Sequence, residues 1–327
     1  MKNGFTRTIA QCCAAGLLAL GANAALAQAY PSKPIRMVIP FPPGGGNDII
    51  ARFVAKKLTD RLGQPVVLDN KAGANGIVGL TAVMQAAPDG YTLGIAAAGP
   101  MAVNPALYDK LPYNPLTDFA PITNMVNYPL LLVTHPSVPA KNVQELIALA
   151  RAKPGTLFYA SPGSGNSGHL AGELFNALAK VNTVHVPYKG QGPATADLLA
   201  GQVQMLYSSI PSVLPMVQQG RLTALAIGTA KRLASLPNVP TIAESGVPGY
   251  EAYSWIGIVA PANTPREIIL RLNREIVDIL KEKDAVEELL RQGAIPVADS
   301  PEHFANYMKD EIAKWGAVVK SANIKAD

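Results

Sequence analysis

Cysteine is almost missing from the chain. The two present, Cys12 and Cys13, are adjacent near the start, and no other follows in 327 residues. Charge is scarce too, with Asp, Glu, Lys and Arg at 16% of residues. The formal net charge of +5 becomes +3 when Lys2 and Arg7 are left out, and no basic run occurs. A nucleic-acid partner is therefore not expected. After Ser32 no stretch approaches the ~20 continuous apolar residues of a spanning helix. The four histidines, His135, His169, His185 and His303, form no i,i+4 pair and no HExxH pattern, so neither a metal site nor a cofactor is expected.

What is present begins with a leader. Lys2 and Arg7 precede an uncharged, largely apolar stretch, and Ala25-Leu26-Ala27 supplies the small-x-small pattern of a cleavage site. The expectation is a signal peptide over residues 1–27, export, and a cysteine-free mature chain in which disulfides and thiol chemistry are impossible. Hydrophobic residues reach 49%, enough to bury a core. The length exceeds the roughly 250–300 residues at which one core stops growing, so two lobes are expected.

Strand, glycine loop and helix signals alternate along the chain, which is the α/β pattern. A strand at 34–40 runs into Phe41-Pro42-Pro43-Gly44-Gly45-Gly46-Asn47-Asp48 and then a helix closed by Gly63. Further strands are read at 66–68, 91–96, 128–134, 157–160 and 222–227. Asn142 with Glu145, and Thr264-Pro265-Arg266-Glu267, fit capping boxes. Ser300-Pro301 opens a last helix.

Two loops, 41–48 and 161–168, each follow a strand and open a helix. Backbone N–H groups near a helix N-terminus make an anion site. The enzyme readings of these loops fail on spacing. The first lacks the Gly-Lys-Ser/Thr ending of a P-loop, and Gly165-Asn166-Ser167-Gly168 is one residue short of G-x-S-x-G.

These segments, with Pro88-Asp89-Gly90-Tyr91-Thr92-Leu93, Pro187-Tyr188-Lys189-Gly190, Asp197 to Gln202, Leu236 to Thr241 and Trp315 to Ala326, resemble the Bug-type extracytoplasmic solute receptors of tripartite tricarboxylate transporters. The resemblance runs through nearly the whole chain after the leader, in the family's order. It implies a type II periplasmic-binding-protein fold: two α/β lobes joined by two crossover strands, with the ligand cleft between them. Lobe I would comprise 28–126 plus 229–327, and lobe II 127–228. It also implies a monomeric, non-catalytic periplasmic receptor for a small organic carboxylate (a di- or tricarboxylate or an aromatic carboxylate), with the transporter's membrane components as partners. The cleft residues so implied are Phe41, Gly44, Gly45, Asp48, Ala98, Gly99, Ser164, Asn166, Ser167, His169 and Tyr188, with Lys189 nearby.

One departure adds Ser208. Relatives often carry an Asp in a Phe-Asp-Asn-type segment where this chain reads Tyr207-Ser208-Ser209. A neutral residue there disfavours an amino acid ligand, and Ala97-Ala98-Gly99 points to a pocket less polar than usual. The alternatives are a binding protein for another solute or a sensor ligand, or a hydrolase using Ser167 and His169.

Overall fold

The computed structural model describes residues 30–321 and 324–325. The leader over 1–27, with the expected cleavage at Ala25-Leu26-Ala27, lies outside the described residues.

Strand β1 (Ile35–Ile39) is buried apart from Arg36, as suits a strand covered on both faces. It leads through the first glycine loop into helix α1 (Gly46–Leu62), whose Ile50, Val54 and Leu58 are buried at helical spacing. The chain continues through β2 (Val66–Asn70), α2 (Ile77–Met84), β3 (Thr92–Ala97) and the short α3 (Asn104–Leu107). Strand β4 (Phe119–Thr134) has 16 residues and is the backbone of the architecture. Then come α4 (Val143–Ala152), β5 (Phe158–Ser161), α5 (Ser167–Ala179), β6 (Val184–Pro187), α6 (Gln191–Leu199), β7 (Met205–Ser209), α7 (Ile210–Gln218) and β8 (Thr223–Ile227). The chain closes with β9 (Tyr253–Pro261), α8 (Arg266–Lys281), α9 (Lys283–Arg291), β10 (Ile295–Pro296) and α10 (Pro301–Ser321).

The sheet order is β2-β1-β3-β9-β4-β7-β5-β6, with β10 and β8 also paired to β4. Strand β4 pairs with β9 from Phe119 to Pro129, then with β7 from Leu130 to Thr134. One strand thus serves both lobes, and the segment returning from β8 to β9 makes the second crossover. In each lobe a central strand is flanked in parallel by the next two strands in sequence: β2-β1-β3 in one, β6-β5-β7 in the other. The glycine loops follow β1 and β5, so they occupy equivalent places in two topologically matching halves. In an open α/β sheet these carboxyl ends of strands are where ligands bind.

Several local expectations change in the structure. The Asn142 cap forms, its Oδ1 accepting the Glu145 N–H at 2.8 Å. The Thr264 cap does not, because the Thr264 hydroxyl donates to the Pro261 carbonyl at 2.7 Å and closes the preceding turn instead. Helix α2 starts at Ile77, since Asn75 before it has a left-handed backbone (φ 46°). Strand β4 begins nine residues earlier than the apolar run suggested, with polar Thr123 and Asn124 buried inside it.

Candidate functional site

At the first loop, Gly44 has φ +86°, a conformation that favours glycine. A Cβ at Gly44 or Gly45 would meet no atom within 4 Å, so the loop faces open space. Asp48 holds it there. Its Oδ2 accepts from the Gly44 N–H at 3.0 Å and Arg52 Nε at 2.8 Å, and its Oδ1 accepts from Asn70 Nδ2 at 3.0 Å. Asn70 also donates to the Phe41 carbonyl at 3.1 Å, tying both ends of the loop to β2. Burial pushes the Asp48 carboxyl up, but the hydrogen bonds from Arg52, Gly44 and Asn70 outweigh it and hold it below the usual carboxylate range. Helix α1 has Gly45 at its N-cap and no side-chain cap. Arg52, one turn on, balances the charge of Asp48.

The second loop is built differently, which corrects the expectation of two similar backbone anion nests. Four of its amides are spent inside the protein: Gly163 on Ser161 Oγ, Gly165 on His169 Nδ1, Asn166 on the Gly163 carbonyl and Gly168 on Asn166 Oδ1. Gly165 has φ +71°, and a Cβ there would come within 2.6 Å of Leu107 and 3.7 Å of Val103. The loop of one lobe therefore packs directly on the segment that follows β3 in the other.

Asn75 and Asn104, which are not among the site residues expected from the sequence, shape that contact. Asn75 Nδ2 donates to Asn104 Oδ1 at 2.9 Å, and Asn104 Nδ2 returns to the Asn75 carbonyl at 3.2 Å. A Cβ built at Gly99 or Gly165 would lie 3.3 or 3.4 Å from the Asn75 amide, which fills the space between them. The Gly73-Ala74-Asn75-Gly76 run was the available signal, since Asn tolerates the left-handed conformation better than most residues.

The remaining sequence candidates divide by task. Ala98 is buried at the end of β3 beside Gly99. Tyr188 donates its hydroxyl to Asp197 at 2.8 Å, and burial followed by that carboxylate pushes its pKa up to about 12. Ser208 is 1% exposed in β7, its hydroxyl directed to the Ser209 carbonyl at 3.3 Å. Asp48, His169 and Tyr188 thus have polar atoms engaged within the protein and brace the loops.

The structure also places His169 flat against His185, with ring centroids 3.6 Å apart and planes at 6°. Sixteen positions separate the two in sequence, on α5 and β6, so no spacing rule brings them together. His185 Nε2 lies 2.6 Å from Ser161 Oγ. Burial, then the neighbouring His169, lowers the His185 pKa to about 3. The folded state therefore keeps His185 neutral where the unfolded chain, near pKa 6.5, takes up a proton. Stability from this site is complete above about pH 6.5 and is lost as the pH falls toward 3. Between about pH 7 and pH 5 the loss is roughly 2 kcal/mol. Thermal melts across this range should fall more steeply for the wild type than for His185→Gln; parallel curves would refute the assignment.

Comparison with known proteins places the chain in a family. The profile of the tripartite tricarboxylate transporter family receptor, TctC, matches residues 50–324. Protein BugT of Bordetella pertussis is 41% identical over 300 residues, covering 91% of this chain and 92% of that protein. A solved R. palustris protein with adipate is 38% identical at a TM-score of 0.85, covering 91% of this chain and 100% of that one. MatC from Rhodopseudomonas palustris, with bound malate, is 33% identical at a TM-score of 0.80, covering 89% and 100%. Two matching α/β halves around a shared strand, and profile and structural matches over most of the length, lead to one result: the chain belongs to the tripartite tricarboxylate transporter receptor family and has its type II periplasmic-binding-protein fold.

Proposed function

We propose that this protein is a non-catalytic receptor that is exported on removal of residues 1–27, captures a small dicarboxylate in the periplasm as a monomer, and delivers it to the membrane components of a tripartite tricarboxylate transporter. The lobes divide as 28–126 with 229–327, and 127–228. The observation that carries this reading is the first loop, an open glycine turn at an uncapped helix N-terminus, held in place by Asp48. One ligand carboxylate rests on the amide of Gly45 and the start of α1, with Phe41, Gly44, Ala98 and Gly99 as neighbours. The hydroxyls of Ser164 and Ser167 and the amide of Asn166 approach from the second lobe on closure. Ser208 backs the distal end without charge. The adipate and malate in the related structures supply the ligand class.

A hydrolase based on Ser167 and His169 is the less favoured reading, given where their polar atoms lie. Ser167 Oγ lies 3.4 Å from Asn166 Oδ1, and His169 Nδ1 is taken by Gly165.

The test is calorimetric titration with adipate, malate and their monoamides. A charge-assisted hydrogen bond contributes about 1.5–3 kcal/mol, so amidation should weaken binding by roughly one to two decades. Equal affinities for acid and amide would show that the loops serve only as turns.

A further inference from the structure

Beside the first turn of α1 stands a polar side chain with no task in the fold. We infer that Tyr128 is a further ligand-binding residue, whose hydroxyl donates a hydrogen bond to the carboxylate oxygen settled on the N-terminus of α1. The inference rests on the carboxylate reading above and deepens it.

Tyr128 is 3% exposed, and its Oη is buried without a hydrogen-bond partner. Such groups are rare in folded proteins, and phenylalanine would fill the same space without leaving a donor unused. The ring lies against Gly46, the first residue of α1: a Cβ there would be 3.8 Å from Tyr128 Cζ and 3.9 Å from its Oη. The hydroxyl therefore sits at the N-terminus of a 17-residue helix that has no side-chain cap. In the same turn Asn47 Oδ1 is also buried without a partner. Neither atom is used by the Asp48 brace.

The position in the strand matters as much. Tyr128 pairs with Ser254 in one sheet, and Leu130, two residues on, pairs with Ser209 in the other. The side chain is rooted where β4 leaves one lobe for the next. An anion at α1 accepts from helix amides of one lobe and from the hydroxyl of the connecting strand, so binding is coupled to the point about which the lobes move. Helix amides alone would hold any small anion. A fixed phenol hydrogen adds a direction and favours an acceptor with a free lone pair on that side, as a carboxylate has.

The experiment is Tyr128→Phe, compared with the wild type by melting without ligand and by calorimetric titration with adipate and with malate. The expected result is an unliganded melting temperature equal to or above that of the wild type, with Kd raised roughly tenfold or more for each dicarboxylate the wild type binds. A Kd within twofold of the wild type would overturn the inference and leave the carboxylate reading intact. A lowered unliganded melting temperature would also overturn it, because the hydroxyl would then serve the fold. Wild-type protein that binds neither dicarboxylate would overturn the functional reading, and the inference with it.

Discussion

Glu311→Leu is expected to cost the fold about 4 kcal/mol, the largest stability effect anticipated for a single polar side chain here. Glu311 is 6% exposed, and its Oε2 accepts from the indoles of both Trp255 and Trp315, at 3.1 and 2.7 Å. These are the only two tryptophans in the chain. One stands on β9, the other on α10, so a single carboxylate pins the last helix to a strand at the centre of the first lobe. Leucine fills a similar volume and leaves two buried indole N–H groups unpaired, each costing about 1–3 kcal/mol. For a chain of this size the melting temperature should drop by roughly 10 °C. Glu311→Gln keeps an acceptor for both indoles and should cost only about 1 kcal/mol. Urea unfolding followed by tryptophan fluorescence and circular dichroism measures both. A loss below about 1 kcal/mol for the leucine variant would mean that packing alone holds the helix.

The second large effect is on binding. Asp48→Ala should lower stability by about 2 kcal/mol through the lost bonds to Gly44 and Asn70, and weaken dicarboxylate binding about thirtyfold or more. The first loop faces open space, so little besides Asp48 and Asn70 fixes its amides in one direction. A ligand meeting the variant must order that loop as it binds. The pH dependence has a definite sign. Because the Asp48 carboxyl is held below its ordinary range, the brace is fully present above about pH 4, the unfolded carboxylate value, and is lost as the pH falls through the lower folded value. Titration with adipate at neutral pH, alongside melts at pH 7 and near pH 3, separates the two effects. Unchanged affinity in the variant would show that the loop orders itself.

Legibility from sequence followed the range of the forces involved. Strand β1, its glycine loop and the stop at Gly63 were readable because each rests on neighbours a few residues away. Likewise, the Asn142 cap is a contact over three positions. By contrast, β9 was not read, although Tyr253 to Pro261 is strongly apolar and Gly246, Pro248 and Gly249 precede it, because its identity comes from filling the gap between β3 and β4. The first half of β4 was hidden by Thr123 and Asn124. Asp299 Oδ1 accepts from the Thr123 hydroxyl at 3.0 Å and from the Asn124 N–H at 2.7 Å, the latter across 175 positions, while the Asn124 side chain donates to Asn127 Oδ1 at 3.0 Å. In the site, the loops were visible as glycine runs, but their division of labour was not. The bonds of His169 to the Gly165 amide and of Asp48 to the Gly44 amide each span only four positions, but glycine spacing does not say which side chain takes an amide. The His169–His185 stack and the Asn75–Asn104 pair are products of the tertiary fold alone.

The placement of β9 has a consequence for how the chain comes to be folded at all. The first lobe's sheet has an empty place between β3 and β4 until the residues up to Pro261 arrive, and its helical cover is completed only by α10. Four-fifths of the polypeptide must be made before this lobe can close, and contacts so distant in sequence form slowly. A nascent chain with that order of assembly stays loose until its last fifth is being made.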